Sequence, residues 1–162
     1  ARADIADALA ADVARHGGEI VAGGVTAGVP FATMVADRLG LPLTYIRPQP
    51  KSHGTGGQIE GAEVAGGKVV LVEDLITSAT SIVLFTNALR AASATVDHTS
   101  VVFARMTAAA QPALDQLGLS LSVLCDMETL LEMALEEGVA SAAAISEVRA
   151  YLADAEGWAA SR

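Results

Sequence analysis

A continuous apolar run, Val69-Val70-Leu71-Val72, ends in two adjacent carboxylates, Glu73 and Asp74. Leu75 and Ile76 follow, and then small and hydroxylated residues: Thr77, Ser78, Ala79, Thr80 and Ser81. Carboxylates at a strand's C-terminal end are placed to accept hydrogen bonds from vicinal sugar hydroxyls. Small residues at a helix start let backbone N–H groups close around a phosphate, and the helix dipole favours the anion. Taken alone, the same pattern also serves as an ordinary cap at a strand-to-helix turn. A second group lies upstream: Arg47, Lys51 and His53, the last two close to Gly54, Gly56 and Gly57. The planar fork of Arg47 suits a pair of phosphate oxygens. Lys51 and a protonated His53, on a glycine-rich loop able to close, suit a leaving group on which negative charge grows. Arg105 ends a further apolar run, Val101-Val102-Phe103-Ala104.

These groups need a scaffold that brings them to one edge. Apolar positions Ile5, Leu9 and Val13 predict an amphipathic helix over 3–16, stopped by Gly17-Gly18. A short strand at 19–23 precedes a helix with Pro30 in its first turn, closed by Gly40. A strand at 43–46 leads into a loop over 48–58 and an antiparallel ribbon through 59–61. The run at 68–74 reads as a central parallel strand buried on both faces. A helix at 80–92, a strand near 95–103, a helix near 107–117 and a strand near 120–125 follow. Two helical patterns separated by Gly138 occupy 126–156. The alternation predicts an α/β fold with a mostly parallel central sheet of about five strands flanked by helices. Length argues for one domain over 1–162, ending in C-terminal helices from 126. Ligands in such sheets bind beyond the strands' C-terminal ends, where Arg47, Asp74 and Arg105 all fall.

Composition narrows the classes. The 162 residues hold 10 Lys and Arg against 19 Asp and Glu, a net charge of -9, which argues against nucleic acid or an anionic membrane as partner. Hydrophobic residues at 52% against 18% charged exclude a disordered chain. No apolar run approaches the roughly 20 residues that span a bilayer, and no secretory signal is visible. The single cysteine, Cys125, excludes an internal disulfide and a multi-thiolate metal site and fits a reducing cytoplasm. His16 and His98 show no partner pattern and read as surface residues. Cys125 reads as packing, and Glu128, Glu132 and Glu136 as a solvated stripe.

The stretch from Glu73 to Ser81 resembles the phosphoribosyl-pyrophosphate (PRPP) signature of type I phosphoribosyltransferases. Gly23-Gly24-Val25-Thr26-Ala27-Gly28-Val29-Pro30 resembles the pyrophosphate loop of the family's orotate branch, and Lys51-Ser52-His53-Gly54 its mobile catalytic loop. The resemblance covers roughly residues 18–125. It implies transfer of the phosphoribosyl group from PRPP to orotate, with Lys51, His53 and Asp74 catalytic. It assigns PRPP to Arg47, Lys51, His53, Glu73, Asp74, Leu75, Ile76, Thr77, Ser78, Ala79, Thr80 and Ser81. It assigns pyrophosphate to Thr26, Ala27 and Gly28, and orotate to Thr77 and Arg105. It further implies Mg²⁺ carried by PRPP rather than by a protein ligand set, and a cytoplasmic homodimer whose loops reach the partner's site.

The chain departs from the family pattern at Ala27, Pro48 and Ala79, and at Ala104, where an acid usually precedes the arginine. It also begins after the position of the family's N-terminal hood. Alanine at 79, where the family has glycine, requires a negative φ. Two other readings therefore stay open: a transferase for another base, and a PRPP- or nucleotide-sensing domain without catalysis.

Overall fold

The computed structural model describes residues 1–49 and 57–160 and divides into two compact units, Ala1–Leu124 and Cys125–Arg162. In the first, α1 (Arg2–Arg15) leads to β1 (Ile20–Gly24), α2 (Gly28–Leu39), β2 (Leu43–Ile46) and β3 (Ile59–Gly61). Then come β4 (Lys68–Ile76), α3 (Thr80–Ala91), β5 (Thr95–Ala104), α4 (Ala110–Leu117) and β6 (Ser120–Asp126). The sheet order is β3-β2-β1-β4-β5-β6. It has six strands where the alternation suggested about five; β3, the returning ribbon, pairs antiparallel with β2. β1 runs parallel to β2 and β4, and β4 parallel to β5.

The β4 run is apolar throughout because both its faces are covered. Val69 and Leu71 enter one core layer with Phe85 and Leu89 of α3 and Leu114 of α4. Val70 and Val72 enter the opposite layer with Leu9 and Val13 of α1 and Val35 of α2. β4 also extends two residues past the expected end at Asp74, because Leu75 and Ile76 continue to pair with Phe103 and Ala104.

One correction concerns His98. It is 2% exposed, not a surface residue. Its Nε2 lies 2.9 Å from Asp12 Oδ2 and its Nδ1 2.7 Å from Ser120 Oγ. Asp12, 3% exposed, also accepts from Ser100 Oγ at 2.5 Å and pairs with Arg15. The His16 ring stacks on His98 at 3.5 Å. The reason lies in the strand register. Lys68 and Val70 of β4 face Thr95 and His98 of β5, so between them Val69 alone opposes Val96 and Asp97, and β5 bulges. Val96 joins the layer under α3, whereas His98 turns towards α1.

The second unit holds α5 (Met127–Glu136), α6 (Ala142–Ala153) and α7 (Ala155–Ala160). Asp126 caps α5 by accepting from Thr129 N, and Ser141 caps α6 by accepting from Ala144 N. Arg149 pairs with Glu128, and Tyr151 meets Trp158 edge-on.

Candidate functional site

After β1 the chain passes through α2 to β2 on one side; after β4 it passes through α3 to β5 on the other. The seam between β1 and β4 is therefore where strand order reverses, the place at which open α/β sheets form ligand crevices. A cavity of about 330 Å³ opens there, lined by Val25, Thr26 and Ala27 from the β1–α2 turn, by residues 73–82, and by Pro48 and Phe85. Two helix starts face it. The first N–H groups of a helix have no intrahelical partner, and here two such sets, ahead of α2 and of α3, converge on one space. That geometry suits a ligand carrying an anionic group at each end.

The β4–α3 turn is built from small residues. Ser78 Oγ and Thr80 Oγ1 lie 2.9 Å apart. Ala79 is the N-cap of α3 and adopts φ 63° and ψ 6°, a left-handed conformation. The expected negative φ is thus corrected: the turn keeps its glycine-like shape and the alanine carries the strain, of order 1–2 kcal/mol. Thr77 O accepts from Thr107 N, and Ile76 O from Arg105 N, which ties the end of β4 to the segment after β5. The Arg105 side chain is exposed at that same edge.

The two acids separate. Asp74 is half-buried on the cavity wall, while Glu73 is 5% exposed. Successive strand residues point to opposite faces, and Glu73 turns in beneath the β1–α2 turn. A Cβ on Gly24 would overlap Glu73 Oε1 and the Phe85 ring, and one on Gly28 would stand 2.8 Å from Glu73 Oε1. Glycine at 24 and 28 is therefore what makes room for this carboxyl. Among the described residues, Glu73 Oε1 has no hydrogen-bond partner. Burial first, and then the neighbouring Asp74 charge, push the Glu73 carboxyl up to about 7, against a hydrogen bond from the Gly24 backbone.

Thr26 and Ala27 are exposed at the cavity mouth, and Gly28 is buried at the start of α2. Leu75 is exposed and Ile76 buried, so they contribute backbone and wall rather than polar contacts. Arg47 follows β2 and is engaged by Glu60 of β3, Nε donating to Oε1 at 2.8 Å; Tyr45 OH donates to the other Glu60 oxygen at 2.8 Å. With Val25 and Thr26, Arg47 lines a second, shallower space of about 340 Å³. Sequence reasoning missed Glu60; its place opposite Tyr45 in the ribbon register was the available signal. Lys51 and His53 lie outside the described residues.

Among the described residues, one group of side chains has metal-ligand proximity: Asp12, His16 and His98, with ligand atoms within 4.8 Å of one another. The two rings stack at 10°, so their in-plane lone pairs run side by side and do not converge, and Asp12 is already occupied by donors. The group is a hydrogen-bonded clasp opposite Val70, roughly 20 Å along β4 from Ile76. No helix among the described residues is long and apolar enough to cross a membrane.

Residues 1–119 match the phosphoribosyl transferase domain model. The orotate phosphoribosyltransferase of Roseobacter denitrificans is 40% identical over 162 residues, covering 97% of this chain and 72% of the relative. The crystal structure of the orotate phosphoribosyltransferase from Aeropyrum pernix superposes with a TM-score of 0.69 at 32% identity, covering 86% of this chain and 76% of that one. The UMP synthase of Leishmania donovani superposes with a TM-score of 0.77 at 26% identity, covering 93% of this chain and 32% of that larger one.

Proposed function

This chain belongs to the phosphoribosyl transferase domain family, and from that premise we propose that it joins orotate to the ribosyl C1 atom of PRPP, yielding orotidine 5′-monophosphate and pyrophosphate. Relatives bearing the orotate phosphoribosyltransferase name support the base. The observation that carries the chemistry is the seam cavity, where two helix starts and the Asp74 carboxylate meet.

In this reading residues 77–81 hold the 5′-phosphate through backbone N–H groups and the hydroxyls of Thr77, Ser78, Thr80 and Ser81. Asp74 accepts from a ribose hydroxyl, fixing C1 between the two helix starts. Thr26, Ala27 and Gly28 hold the pyrophosphate end. Mg²⁺ would come with the substrate and would supply charge neutralisation to its phosphates, needing few protein ligands; among the described residues the half-buried Asp74 carboxylate on the cavity wall is the group that would hold it. As the C1–oxygen bond to pyrophosphate breaks, the ribosyl carbon becomes oxocarbenium-like and the leaving group gains charge. Lys51 and His53 are assigned to that charge, where a contact made mainly in the transition state raises turnover. Thr77, on the cavity wall, and the exposed Arg105, whose backbone N–H bonds Ile76 O at the end of β4, are assigned to orotate. The active form is a cytoplasmic homodimer in which each loop serves its partner's site.

The test is pyrophosphate release from Mg²⁺-PRPP with a panel of bases. Release with orotate alone is expected. Release with a purine in place of orotate overturns the base assignment, and PRPP binding without release for any base overturns the catalytic one.

A further inference from the structure

Glu60 stands outside the motifs that carry the family resemblance, yet it holds two side chains from the end of β2. Tyr45 and Arg47, two positions apart, both line the shallower space beside Val29 and Pro30 of α2. Glu60 of β3 lies opposite Tyr45 in the antiparallel register. Its Oε1 accepts from Arg47 Nε and its Oε2 from Tyr45 OH, both at 2.8 Å. The Arg47 guanidinium also lies over the Tyr45 ring, 6.0 Å from the centroid. The backbones are pinned as well. Arg47 N donates to Gln58 O at 2.9 Å, Gln58 Nε2 to Arg47 O at 3.0 Å, and Thr44 Oγ1 to Glu60 O at 2.9 Å. The ion pair itself adds little stability, because the Arg47 and Glu60 side chains are 35% and 26% exposed and solvent screens them. What it fixes is direction. A guanidinium held at Nε turns the edge carrying its two terminal nitrogens away from that contact, and this edge matches two phosphate oxygens. Beside it lie Val25 and Thr26, which line both this space and the seam cavity. Val25 N donates to Ile46 O, so the β1–α2 turn and Arg47 leave neighbouring strands side by side.

We propose that Glu60 is a positioning residue that aims the Arg47 fork at the diphosphate end of the substrate, acting through Arg47 and not on the substrate itself. The inference rests on the reading that the β1–α2 turn takes the pyrophosphate of PRPP. Without Glu60, Arg47 keeps its charge, but its long side chain spreads over many rotamers and must be ordered each time a ligand binds. The negative charge of Glu60 opposes a polyanion, so geometry and not charge explains its place beside a phosphate-binding arginine. An amide at position 60 can do the same work: its oxygen accepts from Arg47 Nε, and its NH₂ donates to the Tyr45 hydroxyl oxygen.

The experiment is a double-mutant cycle of Glu60→Ala and Arg47→Ala, with Glu60→Gln as the conservative variant. Mg²⁺-diphosphate and ribose 5-phosphate, the two halves of PRPP, are titrated separately by calorimetry, and urea midpoints are recorded. For Glu60→Ala, diphosphate affinity is expected to fall about tenfold, near the upper end of what ordering one long side chain costs. Ribose 5-phosphate affinity and the urea midpoint stay close to wild type. Glu60→Gln restores diphosphate binding, and Glu60→Ala adds no further loss in the Arg47→Ala background. In turnover, KM for PRPP rises and KM for orotate does not. A Glu60→Ala effect that persists without Arg47 overturns the proposal, because Glu60 would then act elsewhere. A Gln variant as weak as the Ala variant overturns it in favour of charge, and equal loss of both ligand halves overturns it in favour of a purely structural role. Arg47→Ala with wild-type diphosphate affinity overturns it by removing Arg47 from the site. Wild type that takes ribose 5-phosphate but no diphosphate strikes the reading of the β1–α2 turn and the inference with it. Loss of orotate turnover with the diphosphate cycle intact strikes the base assignment and leaves the inference standing.

Discussion

Replacing Asp12 by alanine tests whether the buried clasp fixes α1 to the sheet. The substitution removes the acceptor of Ser100 Oγ, which is fully buried, and of His98 Nε2, which is 2% exposed. A buried donor left without a partner costs about 1–3 kcal/mol. The exposed Arg15 contributes little, and Ser120 still holds the other His98 nitrogen. Two orphaned donors therefore predict a loss of about 3–4 kcal/mol, a large part of the 5–15 kcal/mol typical of a domain. With a urea slope of about 1–3 kcal/mol/M, the midpoint followed by far-UV circular dichroism should fall by roughly 1–4 M. The pH dependence gives a second signature. Burial alone would raise the Asp12 carboxyl, but hydrogen bonds from Ser100, His98, Arg15 and Ser122 outweigh it and hold the group well below the usual carboxylate range. A depressed folded-state value contributes stability above the unfolded value, about 3.9, and loses it as pH falls through the folded one. The wild-type advantage should therefore be full at pH 6 and shrink below pH 4. A loss under about 1 kcal/mol at pH 7, or a difference independent of pH down to 2, would refute the reasoning and leave Leu9 and Val13 as the anchors of α1.

Glu73→Gln should also reshape stability. A carboxyl raised to about 7 in the fold gives stability that is present below its unfolded value and lost as pH rises through 7. The variant, always neutral, should be more stable than wild type by about 3 kcal/mol at pH 8 and nearly equal to it at pH 4 in urea titrations; parallel curves would contradict this. Asp74→Asn should weaken Mg²⁺-PRPP binding more than tenfold by calorimetry with the melting temperature unchanged, consistent with one charge-assisted hydrogen bond of about 1.5–3 kcal/mol; unaltered binding removes Asp74 from the site. Ala79→Gly should be nearly neutral in thermal melts. Relief of left-handed strain, about 1–2 kcal/mol, is offset by the buried methyl, about 0.8, and by the freer unfolded chain, about 0.5–1. A loss above about 1 kcal/mol would mean that packing of the methyl dominates. Gly24→Ala should lower stability by about 1–3 kcal/mol, because its Cβ overlaps both Glu73 and Phe85; a neutral result would show that the carboxyl moves aside freely.

The elements were legible where a single rule governs them. The β-branched run of β4, the Gly40 stop of α2 and the small-residue turn before α3 each follow from local pattern, and the structure places them within one or two residues. The convergence of the β1–α2 and β4–α3 turns was legible through the motifs they carry. What escaped depends on register. Alternation along Thr95-Val96-Asp97-His98 puts Val96 and His98 on one face, and the β5 bulge reverses that phase. The clasp then joins residues 86 and 88 positions apart, beyond any local window. The parting of Glu73 from Asp74 was within reach, since neighbours on a strand face opposite ways, but the enclosure of Glu73 by Gly24 and Gly28 needs β1 and β4 side by side. The left-handed Ala79 broke a rule about side chains because the turn's shape is set by what it surrounds.

The cavity's position on the β1–β4 seam has a consequence for where a ligand's binding energy is felt. The half-sheet β3-β2-β1 and the half-sheet β4-β5-β6 meet along the pairs from Ile20↔Val69 to Gly23↔Val72. A molecule held at one end by the turn after β1 and at the other by the turn after β4 is a staple across that join. In amide hydrogen exchange, motions that part the halves must expel it, and at a hundredfold excess over Kd they become about 2.7 kcal/mol harder. Amides shared between β1 and β4 should then exchange roughly a hundredfold more slowly, while openings confined to the β4–β5 ladder keep their free-protein rates.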